Sequence, residues 1–143
     1  MNKFKSVGEI MTKAVFAVRE NESLAEVADL MVEHNCRHVP VINSDREVVG
    51  IVSERDLLRV NTSLDLGKLA TMDRAGFLSD HPVLEVMSVD PETVDTEASV
   101  SEACRILLEY KFDCVPVIEG SVLAGILTTT DILREAIRIE SEG

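Results

Sequence analysis

The chain contains the same unit twice. Residues 8–12 (GEIMT) resemble 84–88 (LEVMS), residues 23–28 (SLAEVA) resemble 99–104 (SVSEAC), and VPVI at 39–42 recurs unchanged at 115–118. These matches share one offset, 115 − 39 = 76. Past the VPVI run the offset drops to 75: Gly50-Ile51 matches Gly125-Ile126, and DLLR at 56–59 matches DILR at 131–134. A single deletion in the second hairpin explains the slip. Each copy spans only about 55 residues and could not bury much surface alone. A fold for this chain must therefore pack two supersecondary units together.

Both copies read in the same order. A short strand, 14–18 (AVFAV) or about 93–96, comes first. A helix follows, with Leu24, Val27, Ala28 and Met31 at helical spacing in one copy and Val100, Ala103, Cys104 and Leu107 in the other. Ser23 and Ser99 occupy the N-cap positions, and Glu26 and Glu102 three residues on suggest capping boxes. Then come an apolar run containing proline (38–42, 114–118), a turn (43–46, 119–120), a second strand, and a closing helix from Ser53 or Thr128. The order β-α-β-β-α, twice, predicts an α+β fold with pseudo-two-fold symmetry. Its two motifs pack face to face by their sheets around one continuous core. Only 3% of residues are aromatic, so that core must be aliphatic. The motif boundaries are 1–60 and 83–143, joined by a linker at 61–82 with a helix from Leu64 to Met72 that Asp80-His81-Pro82 breaks.

Charge narrows the partners. Twenty-six acidic against 14 basic residues give a net charge of −12. Such a surface repels nucleic acid backbones and anionic membranes, whose binding relies on Lys and Arg. The start MNKFKSVGEIM lacks an apolar signal core, and runs such as 122–127 (VLAGIL) are far too short to span a bilayer. Cys36, Cys104 and Cys114 are isolated and odd in number, with no CxxC, which suits free thiols in a reducing cytoplasm. The run His34-Cys36-His38 has spacing unlike a zinc site and reads as a helix-end histidine beside a core cysteine. No nucleophile constellation or acid–base pair is visible, so the chain does not read as an enzyme.

The tail of each copy is the segment that can carry chemistry. Gly50-Ile51-Val52-Ser53-Glu54-Arg55-Asp56 and Gly125-Ile126-Leu127-Thr128-Thr129-Thr130-Asp131 share the pattern G-h-h-[S/T]-x-x-D, running from a strand into a helix. One reading is a helix cap, with the hydroxyl bonding the first turn and the aspartate favoured by the helix dipole. The other is a ligand site. A carboxylate at a helix start can accept both hydrogens of a ribose diol, nearby backbone N–H groups favour anions, and the glycine admits a neighbouring backbone.

Taken with the repeated M-[T/S] start, the capped helix and the h-P-V-I strand, this tail makes the chain resemble a tandem pair of CBS (cystathionine-β-synthase) domains. The resemblance covers roughly residues 7–60 and 83–138. It implies a regulatory module with two clefts for an adenosyl effector such as AMP, ADP, ATP or S-adenosylmethionine, and no obligatory cofactor. It implies that Asp56 and Asp131 hold the ribose hydroxyls and that Ser53 and Thr128 contact ribose or phosphate. It assigns adenine to the strands Arg37-His38-Val39-Pro40 and Asp113-Cys114-Val115-Pro116, with the strand near Ala14 to Phe16 and its counterpart near Pro91 to Thr93 on the other side.

The two sites are not equivalent. Arg37, His38 and Arg55 become Asp113, Cys114 and Thr130. Phosphate recognition needs cations or N–H donors, so the Asp56 cleft is expected to bind a phosphorylated nucleotide more tightly, unless Lys13, Lys111 or Arg134 compensates in the other. Two functions follow as expectations. One is a ligand-sensing homodimer that acts on an effector protein. The other is a structural or dimerisation module without a ligand, associating through apolar helix positions such as Leu57, Leu58, Ile132 and Ile137.

Overall fold

The structure is a computed structural model that describes residues 3–13, 16–62 and 78–142, with backbone only at 60–62. The expected linker helix from Leu64 to Met72 and the strand residues Ala14 and Val15 lie outside these. The described elements are α1 (Val7–Ile10), β1 (Val18–Arg19), α2 (Leu24–His34), β2 (His38–Ile42), β3 (Val48–Ser53) and α3 (Glu54–Thr62). A 3-10 turn (Val83–Glu85), β4 (Ser88–Val89), β5 (Val94–Asp95), α4 (Val100–Tyr110), β6 (Cys114–Glu119), β7 (Val122–Thr128) and α5 (Thr129–Glu142) follow. The strands form two sheets, β1-β2-β3-β4 and β5-β6-β7. In each, a short strand runs parallel to the h-P-V-I strand, which pairs antiparallel with the strand that ends in the G-h-h-[S/T] tail. The α+β class and the repeated element order are thus realised.

The helices begin where their caps dictate. Ser23 Oγ accepts the Glu26 N–H at 3.4 Å, and Ser99 Oγ accepts the Glu102 N–H at 3.1 Å. Among the described residues neither glutamate side chain returns the bond, so only the serine half of each expected box is formed. A complete box occurs instead at the short α1, between Ser6 and Glu9. Helices α2 and α4 each end on a left-handed residue, Asn35 or Lys111, whose N–H closes onto the carbonyl of Met31 or Leu107.

The compact units do not coincide with the repeat copies. The first unit comprises residues 16–91; the second joins 1–15 to 92–143. Each copy's lead-in segment has been passed to the other copy's sheet. In the second unit, Val7 N–H donates to the Ala98 carbonyl and Gly8 N–H to that of Thr96. In the first, Val83 N–H donates to Glu22 and Leu84 N–H to Glu20. Val7 and Val83 are fully buried there. Among the described residues the buried apolar side chains fall into two clusters, one in each unit. Both are aliphatic: Leu24, Val27, Val39, Val41 and Val52 in one, Leu107, Val115, Val117 and Leu127 in the other.

The VPVI runs are buried on both faces, which is why they read as continuously apolar. Their prolines cost no ladder bond. The Arg37 carbonyl accepts the Glu54 N–H on the β3 side, so alternate residues 37, 39 and 41 turn their polar groups that way and Pro40 faces away. The same parity holds at Asp113, which accepts from Thr129, and frees Pro116 of any donor role. The one-residue slip lies in the hairpins, as expected: the first turn occupies 43–46 as read, closed by the Asn43 N–H on the Glu47 carbonyl, while the second is Gly120-Ser121, one residue later than read, where Glu119 pairs with Val122. Gly120 has φ +67°, the left-handed backbone that this tight turn demands. No helix among the described residues is long and apolar enough to cross a membrane.

Candidate functional site

Both G-h-h-[S/T]-x-x-D tails fold into one arrangement at a strand-to-helix junction. Ser53 N–H donates to Asp56 Oδ2 at 2.8 Å, and Asp56 N–H donates to Ser53 Oγ at 3.1 Å. Thr128 and Asp131 repeat the pair at 3.0 and 3.1 Å. Each motif is therefore a reciprocal cap, and the capping reading holds as geometry. The same bonds fix a carboxylate at the helix start with acceptor capacity remaining, since an ionised carboxylate offers about four lone-pair sites.

The glycines explain why the repeats keep M-[T/S] together with G-h-h. A Cβ at Gly50 would lie 2.6 Å from Met87 Sδ and 3.0 Å from the Ser88 carbonyl oxygen; at Gly125 it would lie 2.6 Å from Met11 Sδ and 2.7 Å from the Thr12 oxygen. The backbone of each lead-in thus runs directly against the tail glycine. Ser88 pairs with Ile51 in the β3–β4 ladder, and Thr12 exchanges two backbone bonds with Ile126, at 2.8 and 3.0 Å.

In the first unit, Arg37 and His38 open β2, and His38 lies opposite Ser53 in the ladder. The helix start closes on this corner, because Glu54 N–H donates to the Arg37 carbonyl at 2.8 Å. Arg37, His38, Ser53 and Asp56 are thereby brought to one place. Arg55 is exposed on the first turn of α3, and Asp56 is half-buried with Arg59 3.9 Å away. Val39 and Pro40 are fully buried, so a ligand there meets their backbone and not their side chains. Among the described residues the β1 ladder meets β2 at Val41 and Ile42.

The second unit repeats the corner with different chemistry. Cys114 lies opposite Thr128, and Thr129 N–H donates to the Asp113 carbonyl at 3.0 Å. Asp113 is exposed, while Val115 and Pro116 are buried in the strand. Burial, reinforced by the Asp113 charge, pushes the Cys114 thiol up to about 12, so the sulfur is a neutral, apolar surface at neutral pH. Asp131 is 8% exposed and carries a further bond: the Thr12 hydroxyl donates to it, 3.2 Å from Oδ1 and 3.2 Å from Oδ2. The sequence reading did not name Thr12; its signal was the repeated M-[T/S] pair itself. Nor did it show that two of the N-terminal donors of each helix are already engaged. Glu54 and Asp56, like Thr129 and Asp131, spend their N–H groups on Arg37, Ser53, Asp113 and Thr128.

His34 stacks on Phe16, with ring centroids 3.4 Å apart, and Cys36 Sγ contacts the Leu30 carbonyl at 3.8 Å, so each uses local contacts. Of the four apolar helix positions read as exposed, Leu58 and Ile137 are; Leu57 is buried and Ile132 packs against the second core.

Comparison with known proteins places the chain. The sequence profile of the CBS domain matches residues 7–62 and 83–138. A protein of Methanocaldococcus jannaschii is 32% identical over 138 residues; the match takes 92% of this chain but only 32% of that one, so this chain spans about a third of its length. A 17.7 kDa protein of Acidianus ambivalens is 31% identical, over 94% of this chain and 75% of its own. Among solved structures, CBSX2 in complex with AMP superposes with a TM-score of 0.78 at 31% identity, covering 94% of this chain and 98% of that one. With the profile matched at both copies of the repeat, the chain belongs to the CBS domain family, as a tandem pair.

Proposed function

We propose that this CBS pair is a regulatory module that binds an adenosyl nucleotide of the AMP, ADP, ATP or S-adenosylmethionine class. It signals by a ligand-dependent rearrangement of the pair or of a homodimer. The observation that carries the proposal is the hydroxyl–carboxylate pair built twice at a strand-to-helix junction. A ribose diol donates two hydrogens that such a carboxylate can accept, and a 31% identical relative is seen in complex with AMP. Asp56 and Asp131 hold the ribose, with Ser53 and Thr128 beside them. The opening residues of β2 and β6, Arg37 to Pro40 and Asp113 to Pro116, meet the base through backbone. Arg37, His38 and Arg55 attract phosphate to the Asp56 corner. No catalytic step is assigned. The module acts on an effector protein in a reducing cytoplasm, which its three unpaired thiols suit. A ligand shifts its conformation only by binding one arrangement better than the other.

Thermal denaturation with AMP, ADP, ATP and S-adenosylmethionine tests this. Ligand at about 100 times Kd stabilises by roughly 2.7 kcal/mol, and Asp56→Ala should abolish more of the AMP shift than Asp131→Ala. A flat response to all four compounds would favour the second function, a ligand-independent dimerisation module. The exposed Leu58, Leu133 and Ile137 on α3 and α5 speak for that one.

A further inference from the structure

The two corners differ at one bond that the repeat does not predict. Thr12 and Ser88 are counterparts, 88 − 12 = 76 residues apart, and both are hydroxyl residues on a lead-in strand that crosses a tail glycine. Yet Thr12 Oγ1 stands 3.2 Å from each oxygen of Asp131, whereas among the described residues the Ser88 hydroxyl makes no bond to Asp56. The Thr12 hydroxyl is held firmly, because its backbone is bonded both ways to Ile126 and its strand is pressed on Gly125. Asp131 thus receives the Thr128 N–H and an internal hydroxyl, and is almost fully withdrawn from solvent. Among the described residues Asp56 receives the Ser53 N–H, with the exposed Arg59 3.9 Å away.

A hydroxyl lying equally between both carboxylate oxygens does what a ribose hydroxyl would do. A vicinal diol needs one acceptor oxygen for each O–H, so it must compete with Thr12 at Asp131 but not with Ser88 at Asp56. Thr12 itself is exposed, so the contact lies at the surface where an incoming ligand meets it first.

We infer that Thr12 is a built-in ribose mimic that caps Asp131 and makes Asp56 the site that fills first. The inference rests on the nucleotide-binding reading and adds the residue that ranks the two sites. It also places that residue on the 1–15 segment, so a nucleotide that enters the second corner must displace a side chain of the lead-in that docks on this unit.

Isothermal titration with AMP and with 2′-deoxy-AMP tests it, on wild type, Thr12→Val, Asp56→Ala and the Asp56→Ala/Thr12→Val double variant. Wild type should take up one AMP per chain at low concentration, and Asp56→Ala should weaken that uptake tenfold or more. Thr12→Val should tighten a second AMP by tenfold or more, and the double variant should bind AMP better than Asp56→Ala alone. That regained site should prefer AMP to 2′-deoxy-AMP, because the gain comes from a diol. Thr12→Ser, which restores a hydroxyl, should return the second site to its wild-type weakness; circular dichroism of each variant reports folding, and Thr12→Ala replaces Thr12→Val if the valine variant misfolds. An unchanged or weaker second site in the hydroxyl-free variant overturns the inference while leaving nucleotide binding standing. Absence of AMP binding in both wild type and the hydroxyl-free variant overturns both readings.

Discussion

A methyl group at Gly125 would sit 2.7 Å from the Thr12 carbonyl oxygen and 2.6 Å from the Met11 sulfur. The sulfur can swing away, but the oxygen belongs to a backbone bonded on both sides to Ile126. Gly125→Ala should therefore destabilise the protein by about 1–3 kcal/mol, the usual range for overpacking, measured by urea denaturation. An unchanged midpoint would mean that the Met11-Thr12 strand is not held against β7. Cys114 carries the second expectation at this scale. Its thiol, 6% exposed and raised to about 12 by burial and by the neighbouring Asp113, stays protonated at pH 8, and the thiolate is the reactive form. Iodoacetamide should leave Cys114 unmodified in the folded protein and modify it once urea unfolds the chain. Mass-spectrometric mapping reads this directly, and native-state labelling of Cys114 would contradict the buried placement.

Helix α5 is tied to the lead-in by one buried carboxylate. Glu135, 4% exposed, accepts the Lys5 N–H at 3.1 Å and the Arg138 guanidinium, which also donates to the Lys3 carbonyl and to Glu142. The Arg138 hydrogen bond, opposed by desolvation and helped by the Lys5 N–H, holds the Glu135 carboxyl below its ordinary value. A carboxyl lowered by folding stabilises the protein above its unfolded value, about 4.3, and that contribution fades as pH falls through the folded value. Wild type should thus lose stability below about pH 4.5 more steeply than Glu135→Gln. At pH 7 the glutamine variant should be less stable by about 1.5–3 kcal/mol, the scale of a hydrogen bond to a charged group. Parallel stability–pH curves for the two proteins would show that the clamp is not formed in solution. On the same helix, the capping residue Thr128 sets the phase that buries Asp131 and Glu135 and leaves Leu133 and Ile137 exposed.

Each unit is completed by the lead-in segment of the other copy. Val7 fills the core of the unit whose sheet comes from residues 94–128, and Thr12 completes the edge of that sheet. Deleting residues 1–12 should therefore empty a core position in the second repeat's unit, although the deleted residues belong to the first repeat in sequence. Hydrogen exchange should show protection lost across β6 and β7 while β2 and β3 keep theirs. Loss confined to residues 18–53 would mean that the lead-in serves its own repeat instead.

Much of this architecture was legible because it is local. The offsets of 76 and 75, the serine caps at Ser23 and Ser99, the buried VPVI strands and the pairing of Ser53 with Asp56 and Thr128 with Asp131 all depend on residues a few positions apart. Periodicity and capping chemistry report such short-range facts directly. The exchange of lead-ins, the close approach at Gly50 and Gly125, and the bond from Thr12 to Asp131 across 119 residues belong to the tertiary structure. The physical reason is the repeat itself. Two copies of one element pattern offer two similar sheet edges, so the pattern of a lead-in does not say which edge it will join. That choice made the second corner self-capped and left Asp56 open, a difference between two copies whose capping residues match in kind. The sequence by itself determined two capped carboxylate corners; only the folded chain decided that a hydroxyl from the other copy closes one of them.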